Sequence, residues 1–437
     1  MQNEKCGTDR DPKKFCDGHS DNLEPLESID LGKCADFDQM LSAMSKTAFG
    51  GRNLGEAAEV LCAMAKDKDC LGVGTFAGAM SVAKMGGLLC DMVDSGMLGV
   101  VVSTGALMAH GFVEAAGMKH FKYRFGKMDD GELYKKGYDR VYDTLELEKN
   151  LDDAEVLVAE VLEGFKSRQQ LCSWKICHAL GKRLSENFSG KGILKSTYEA
   201  NIPVFIPAFT DSEFGLDFGI YRRRQRMKGK LPLVFNPYLD LELYTKYCRH
   251  AKKLGLFTIG GGVPRNWAQQ VGPYLDIIQS RIGEGGALKR FDYALRICPE
   301  PVHWGGLSGC TYSEGVSWGK FTPENEGGRF AEVLADATIA WPILLKGVFQ
   351  RLQKEGVKIP LEKNIQKFKK ASMVDDNWEP SLKKKEERKD GGNAKEGIKA
   401  GEGSGLKENV EVKVDEENGR LKGAEAKVKE GVGEGNE

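Results

Sequence analysis

Lys320 closes the segment Glu314-Gly315-Val316-Ser317-Trp318-Gly319-Lys320, which puts an amine, an indole and a carboxylate within seven residues. Most lysines are solvated surface charges. A lysine partly desolvated by Trp318 could instead keep a neutral amine that attacks a carbonyl or imine carbon. Glu314 would hold an amine cation and would also oppose that neutrality. Trp304 and Trp318 bracket the glycine-rich loop at 305–309, either as core wedges or as flat walls for a methylene chain or a cation. His110 follows the small-residue turn at 103–106, as an ordinary hydrogen-bonded histidine or as a ligand contact. The six histidines are dispersed at no metal-ligand spacing with Cys, Asp or Glu, so no metal is expected. No Gly-x-Ser-x-Gly elbow and no Walker loop is present, which argues against a serine hydrolase or a P-loop enzyme.

The elements that must position these residues form a repeating pattern. Apolar runs at 70–75, 97–102, 204–206, 231–235, 256–259 and 291–297 alternate with glycine or small-residue turns and helical periods. The helical periods include one through Leu88, Leu89 and Met92 and one over 239–254. Continuous apolar strands alternating with helices predict a doubly wound α/β domain, with a mainly parallel sheet covered on both faces. Residues 130–200 are charged with a helical period and read as helices or an insertion beside the sheet. Ligands of such sheets gather beyond the carboxyl ends of the strands. Gly78, the 104–106 turn, Asp211 and Gly260-Gly261-Gly262 all follow apolar runs, where backbone and helix N-termini can approach a phosphate. Gly72-x-Gly74 with Gly78 only approximates a dinucleotide fingerprint, and glycine in helix–strand packing explains it equally. Four such turns together point to a bound dinucleotide.

Composition narrows the setting. A net charge of −1 over 437 residues supplies no basic field for nucleic acid. No window holds about eighteen uninterrupted apolar residues, so no membrane span is expected. Eleven irregularly spaced cysteines read as the free thiols of a cytoplasmic protein. Residues 1–30 are polar, without a signal-peptide pattern, and are expected to be a flexible arm ahead of a catalytic domain at 31–372. The lysine- and glutamate-rich tail at 373–437 is too polar to offset its ordering entropy and is expected to be disordered.

Four blocks resemble the deoxyhypusine synthase family. EGVSWGK (314–320) is close to its EAVSWGK signature and LADA (334–337) to its YADA. IPVFIPAFTD (202–211) is similar to IPVFSPALTD, and TIGGGV (258–263) to ILGGGV. The resemblance implies a homotetramer that holds NAD at subunit interfaces. It also implies aminobutyl transfer from a polyamine such as spermidine, through an imine on a lysine, to a lysine of the hypusine-bearing translation factor. Lys320 matches that lysine, and Glu314 and Trp318 match neighbours that contact the polyamine. Gly78, Ala79, Thr104, Gly105, Ala106, Asp211, Gly261, Asp336 and Ala337 match positions that touch NAD.

The amine pocket departs from the family. Ala109 and His110 replace an acidic pair, Asn266 replaces a histidine, and Trp304 and Leu307 replace two aspartates. Asp217 preserves a further acid only with one residue inserted. A polyamine needs carboxylates to offset its desolvation, so the donor amine stays open. GGVPRNW (261–267) with GGLSG (305–309) is similar to the deoxyhypusine-synthase-like branch. Two alternatives remain: the same chemistry with a small amine acceptor, as in homospermidine synthases, and a non-catalytic NAD-binding partner subunit.

Overall fold

Alternate residues of the central strands serve two different cores. Phe76, Val101, Phe257, Leu295 and Ile297 pack into one, while Leu71, Val73, Val100, Val102 and Leu256 pack into the other. Burial on both faces is why these strands read as unbroken apolar runs.

The computed structural model describes residues 15–359 apart from 285, 287 and 306–308. Helices α1 (Phe37–Ser45) and α2 (Phe49–Lys66) lead into β1 (Cys70–Phe76), α3 (Gly86–Asp94), β2 (Val100–Ser103) and α4 (Gly105–Ala115). An inserted stretch then holds β3 (Phe121–Lys122), α5 (Asp130–Lys135), β4 (Tyr138–Val141) and β5 (Thr144–Leu147). After it come α6 (Glu148–Glu163), β6 (Gln170–Leu171), α7 (Ser173–Asn187), α8 (Ile193–Glu199) and β7 (Val204–Phe205). The chain continues through α9 (Glu213–Met227), β8 (Val234–Phe235), α10 (Tyr238–His250), β9 (Lys253–Ile259), α11 (Gly262–Gln269) and α12 (Val271–Ile282). It closes with β10 (Phe291–Ile297), α13 (Tyr312–Ser317), β11 (Arg329–Val333) and α14 (Ala337–Lys354).

The main sheet has six strands in the order β11-β10-β9-β1-β2-β7, with every pairing parallel. The expected doubly wound α/β fold is therefore present. Strand order runs outward in one direction from β1 and in the other from β9, so the topological switch lies between their carboxyl ends. Helices α3 and α4 contribute to the first core, and α10, α11 and α12 to the second.

Four expectations change in detail. The run at 97–102 forms a strand only from Val100, because residues 97–99 turn beneath β1. The helical stretch at 239–254 stops at His250, since pairing with β1 draws Lys253 and Leu254 into β9. The 231–235 run yields the short β8, which pairs with β6 outside the main sheet. The 130–200 region is not helical throughout: β4 and β5 form a hairpin, with Tyr142 at its tip in a left-handed conformation. Residues 15–30 carry no helix or strand, while the rest of the expected arm and the 373–437 tail lie outside the described residues. No helix among the described residues is long and apolar enough to cross a membrane.

Gly72 lies inside β1, not in a phosphate turn. A Cβ there would stand 2.1 Å from the Met97 carbonyl oxygen, and Gly99 N–H bonds to the Gly72 carbonyl at 2.8 Å. Gly72 is therefore a packing residue, and only Gly78 of the partial fingerprint lies in a turn beyond a strand end. Gly72→Ala should lower stability by about 1–3 kcal/mol, the usual cost of overpacking. Denaturant unfolding checks this, and an unchanged midpoint would contradict the close approach.

Candidate active site

Helix α13 is short, and it delivers Lys320 inward. Thr311 caps it by accepting the Glu314 N–H at 3.1 Å, and Gly319 reverses the chain with φ +69°. The backbone then pairs beside the start of β10, with Phe291 N–H donating to the Lys320 carbonyl at 2.9 Å. Lys320 is left 8% exposed, and its Nζ donates to Asn266 Oδ1 at 3.2 Å. The amine faces a cavity of about 200 Å³ lined by Lys320, Asn266, Arg265, Gln269, Cys310 and Gly262, among others.

Burial is the main cause that pushes the Lys320 pKa below the usual lysine value. The Arg265 charge adds to the lowering, while Cys310 and Glu314 oppose it. Desolvation thus wins over the carboxylate, a contest that the sequence leaves undecided. The source of the desolvation differs from expectation. Trp318 is 63% exposed, and its ring centroid lies 5.8 Å from Nζ, so the indole is a flat neighbour and not the wall that buries the amine. That wall comes from α11. Asn266 accepts a hydrogen bond without adding the negative charge that would hold a proton on the amine.

Arg265 is the residue that motif reading missed. Only 3% exposed, it donates from Nη2 to the Cys310 carbonyl at 3.0 Å and lies 5.4 Å from the Tyr312 ring centroid. Its place in the glycine-turn motif was visible, but nothing in the sequence linked it to Lys320. Glu314 stands exposed at the start of α13. A larger hollow of about 590 Å³ beside β11 is lined mainly by hydroxyls, carboxylates and apolar side chains, with no amine, thiol or imidazole.

The turns expected to hold a dinucleotide form one rim. Each is tied to the end of a neighbouring strand: Ala77 N–H to the Ile259 carbonyl at 3.1 Å, Thr104 N–H to Phe76 at 3.1 Å, and Gly260 N–H to Ile297 at 2.8 Å. Thr104 Oγ1 donates to the Gly78 carbonyl at 2.5 Å and caps α4. This joins Gly78 and Ala79 to Gly105 and Ala106. A Cβ on Gly105 would lie 2.2 Å from Ser212 Oγ, so the second turn also abuts the Asp211 turn. Gly260 and Gly262 take φ of +77° and +60° on either side of Gly261, which opens α11. Asp336 caps α14 by accepting the Thr338 N–H at 2.7 Å, with Ala337 as the first helical residue. Helices α4, α11 and α14 begin at these turns, and α11, which has no side-chain cap, offers N–H groups and a helix dipole that suit a diphosphate. The residues present fit a dinucleotide.

Gly262 belongs both to the rim and to the Lys320 cavity, and α11 runs from one to the other. The structure thus unites Lys320, Asn266 and Gly261, with Trp318 beside them. It does not unite them with His110. That histidine is buried on α4, which packs into the first core, and its Nδ1 lies 3.2 Å from Glu146 Oε2. Asp217 is also apart, on α9. There burial, with Glu155 and Glu213 nearby, pushes its carboxyl up to about 7. Trp304 is exposed, and Leu307 lies outside the described residues.

Residues 39–348 match the deoxyhypusine synthase family. A Methanosarcina acetivorans protein named probable deoxyhypusine synthase 2 is 33% identical over 328 residues, covering 75% of this chain and 90% of its own length. A deoxyhypusine synthase-like protein of Chlorobaculum tepidum is 32% identical over 341 residues, covering 76% and 91% respectively. A crystal structure from Entamoeba histolytica, also described as of a deoxyhypusine synthase, overlays with TM-score 0.48 and 15% identity, covering 74% of this chain and 97% of that one. With the parallel sheet and the signature lysine in place, the chain belongs to the deoxyhypusine synthase family of transferases.

Proposed function

We propose that this enzyme is an NAD-dependent aminobutyl transferase that carries the butylamine part of a polyamine such as spermidine on Lys320. The acceptor is a lysine of the hypusine-bearing translation factor. The observation that carries the reading is the buried Lys320 amine in a cavity whose wall, at Gly262, is also part of the dinucleotide rim. When bound, NAD supplies removal of a hydride from the carbon beside the donor's secondary amine and its return to the product.

The chain's own residues do the rest. Asn266 Oδ1 holds the Lys320 amine, and burial keeps part of the population neutral with a free lone pair. That lone pair attacks the imine carbon of the oxidised donor. A new C–N bond forms, the old one breaks, and the departing diamine takes the electron pair and a proton. The acceptor lysine repeats the exchange and frees Lys320. Burial of the amine limits hydrolysis of the enzyme-bound imine. The exposed Glu314, whose charge reaches Lys320, attracts cationic amines, and the exposed Trp318 face suits a methylene chain or a cation. Exposed Val263, Leu334 and Ile339 near the rim support burial of this edge against another subunit, in keeping with the proposed homotetramer, which would act in the cytoplasm.

Purified protein with NAD should develop NADH absorbance with one of spermidine, putrescine or homospermidine, and Lys320→Ala should lose transfer by about 10⁴-fold or more. Transfer only to free amines would assign a small acceptor. Silence with every amine despite NAD binding would point to a non-catalytic partner. The second expectation concerns pH. Lys320 becomes reactive as pH rises through its own lowered pKa, so its labelling by an amine-specific reagent should reach half-maximum at lower pH than that of exposed lysines. Glu314→Gln should move the Lys320 midpoint lower still, because the opposing charge is gone. A midpoint shared with the surface lysines would contradict the desolvation argument.

A further inference from the structure

Outside the Lys320 cavity, His110, His120 and Glu146 converge with one ligand atom from each lying within 4.8 Å of the others. Their positions in the sequence do not disclose this. His110 comes from α4, His120 from the segment that follows it, and Glu146 from β5 of the inserted hairpin. His110 Nδ1 and His120 Nε2 stand 3.2 and 2.5 Å from the same oxygen, Glu146 Oε2. The two rings meet edge to face with centroids 5.9 Å apart. The side chains of His110, His120 and Glu146 are only 10%, 0% and 1% exposed.

The carboxylate is held from behind. Its other oxygen, Oε1, accepts from Asn150 Nδ2 at 2.8 Å and from Leu147 N–H at 3.0 Å. Asn150 also donates to the Lys119 carbonyl at 3.1 Å, which steadies the residue before His120. The result is two imidazole nitrogens and one carboxylate oxygen close enough to share a single ion, with an outer layer that fixes the oxygen donor.

We propose that His110, His120 and Glu146 form a binding site for a divalent transition-metal ion of the zinc class. Two imidazoles and a carboxylate are a suitable set for such an ion, and Asn150 supplies the outer-layer hydrogen bond these sites need. The ion would tie the hairpin to α4, the helix that opens at the Thr104 turn. Lys84 competes with it. Lys84 Nζ lies 2.7 Å from His120 Nδ1 and 3.3 Å from Glu114 Oε1. An ammonium at Nδ1 leaves the ring proton on Nε2, which lies close to Glu146 Oε2 but makes no hydrogen bond there. Metal binding through Nε2 moves that proton to Nδ1, and the half-exposed Lys84 shifts to Glu114.

The test uses the tag-free full chain, stripped with chelator and titrated with Zn²⁺ and with Co²⁺, whose visible absorption reports nitrogen and oxygen ligation. Wild type should take up about one ion per chain and gain thermal stability with metal, because binding favours the native state. Glu146→Gln and His120→Asn should weaken binding by more than about 100-fold, while Asn150→Ala, which keeps all three ligands, should weaken it about 10–100-fold. Lys84→Met should bind more tightly. Circular dichroism confirms that each variant is folded, and Asn150→Ala and Lys84→Met keep the test informative if a ligand variant is not. Absence of stoichiometric binding by wild type would overturn the proposal. So would binding that folded Glu146→Gln and His120→Asn leave unchanged, and the three groups would then be a hydrogen-bonded tie alone.

Discussion

An amine inside a protein must either keep its proton beside a carboxylate or give it up. Lys320 is placed so that its proton is held less tightly than usual, because burial and the Arg265 charge lower its pKa. Its direct partner is the amide oxygen of Asn266, and the buried Arg265 guanidinium makes a further positive charge costly. Glu314 stays exposed at the start of α13, where it can attract amines without fully restoring the proton. The rest of the site depends on this balance. A carboxylate in place of Asn266 would favour the ammonium, and loss of burial would leave an ordinary surface lysine.

The fold provides that balance through one helix. The sheet changes direction between β1 and β9, which opens a crevice at their carboxyl ends. Helix α11 starts there, on the Gly261 turn, and carries Arg265 and Asn266 down one face to meet Lys320. Lys320 itself arrives from the far end of β10, so the rim and the amine are joined by α11 and not by a shared loop. The opposite face carries α4, whose first turn belongs to the rim while its body carries His110 away from the amine. One sheet thus serves two separate clusters of titratable residues.

Much of this was legible from residue order. Strands β1, β9 and β10 were readable because burial on both faces makes them largely apolar, and the rim turns because glycines and small residues follow them. Lys320 stood out by its neighbours in EGVSWGK. What stayed hidden depends on distant contacts. The residue that holds the Lys320 amine lies 54 positions earlier, and adjacency suggested Trp318 as the shield instead. His110 meets Glu146 from 36 positions away, across a hairpin that charged residues made resemble helix. Gly72 resembled part of a phosphate turn because sequence alone does not separate a glycine that admits a ligand from one that admits Met97.

The proposed transfer requires Lys320 to carry the aminoalkyl group as an imine. Reduction with borohydride during turnover with NAD and the donor amine, followed by peptide mass mapping, tests this. An aminoalkyl mass increment is expected on the peptide containing Lys320, confined to that lysine. An increment elsewhere, or sustained transfer with Lys320 unmodified, would contradict it.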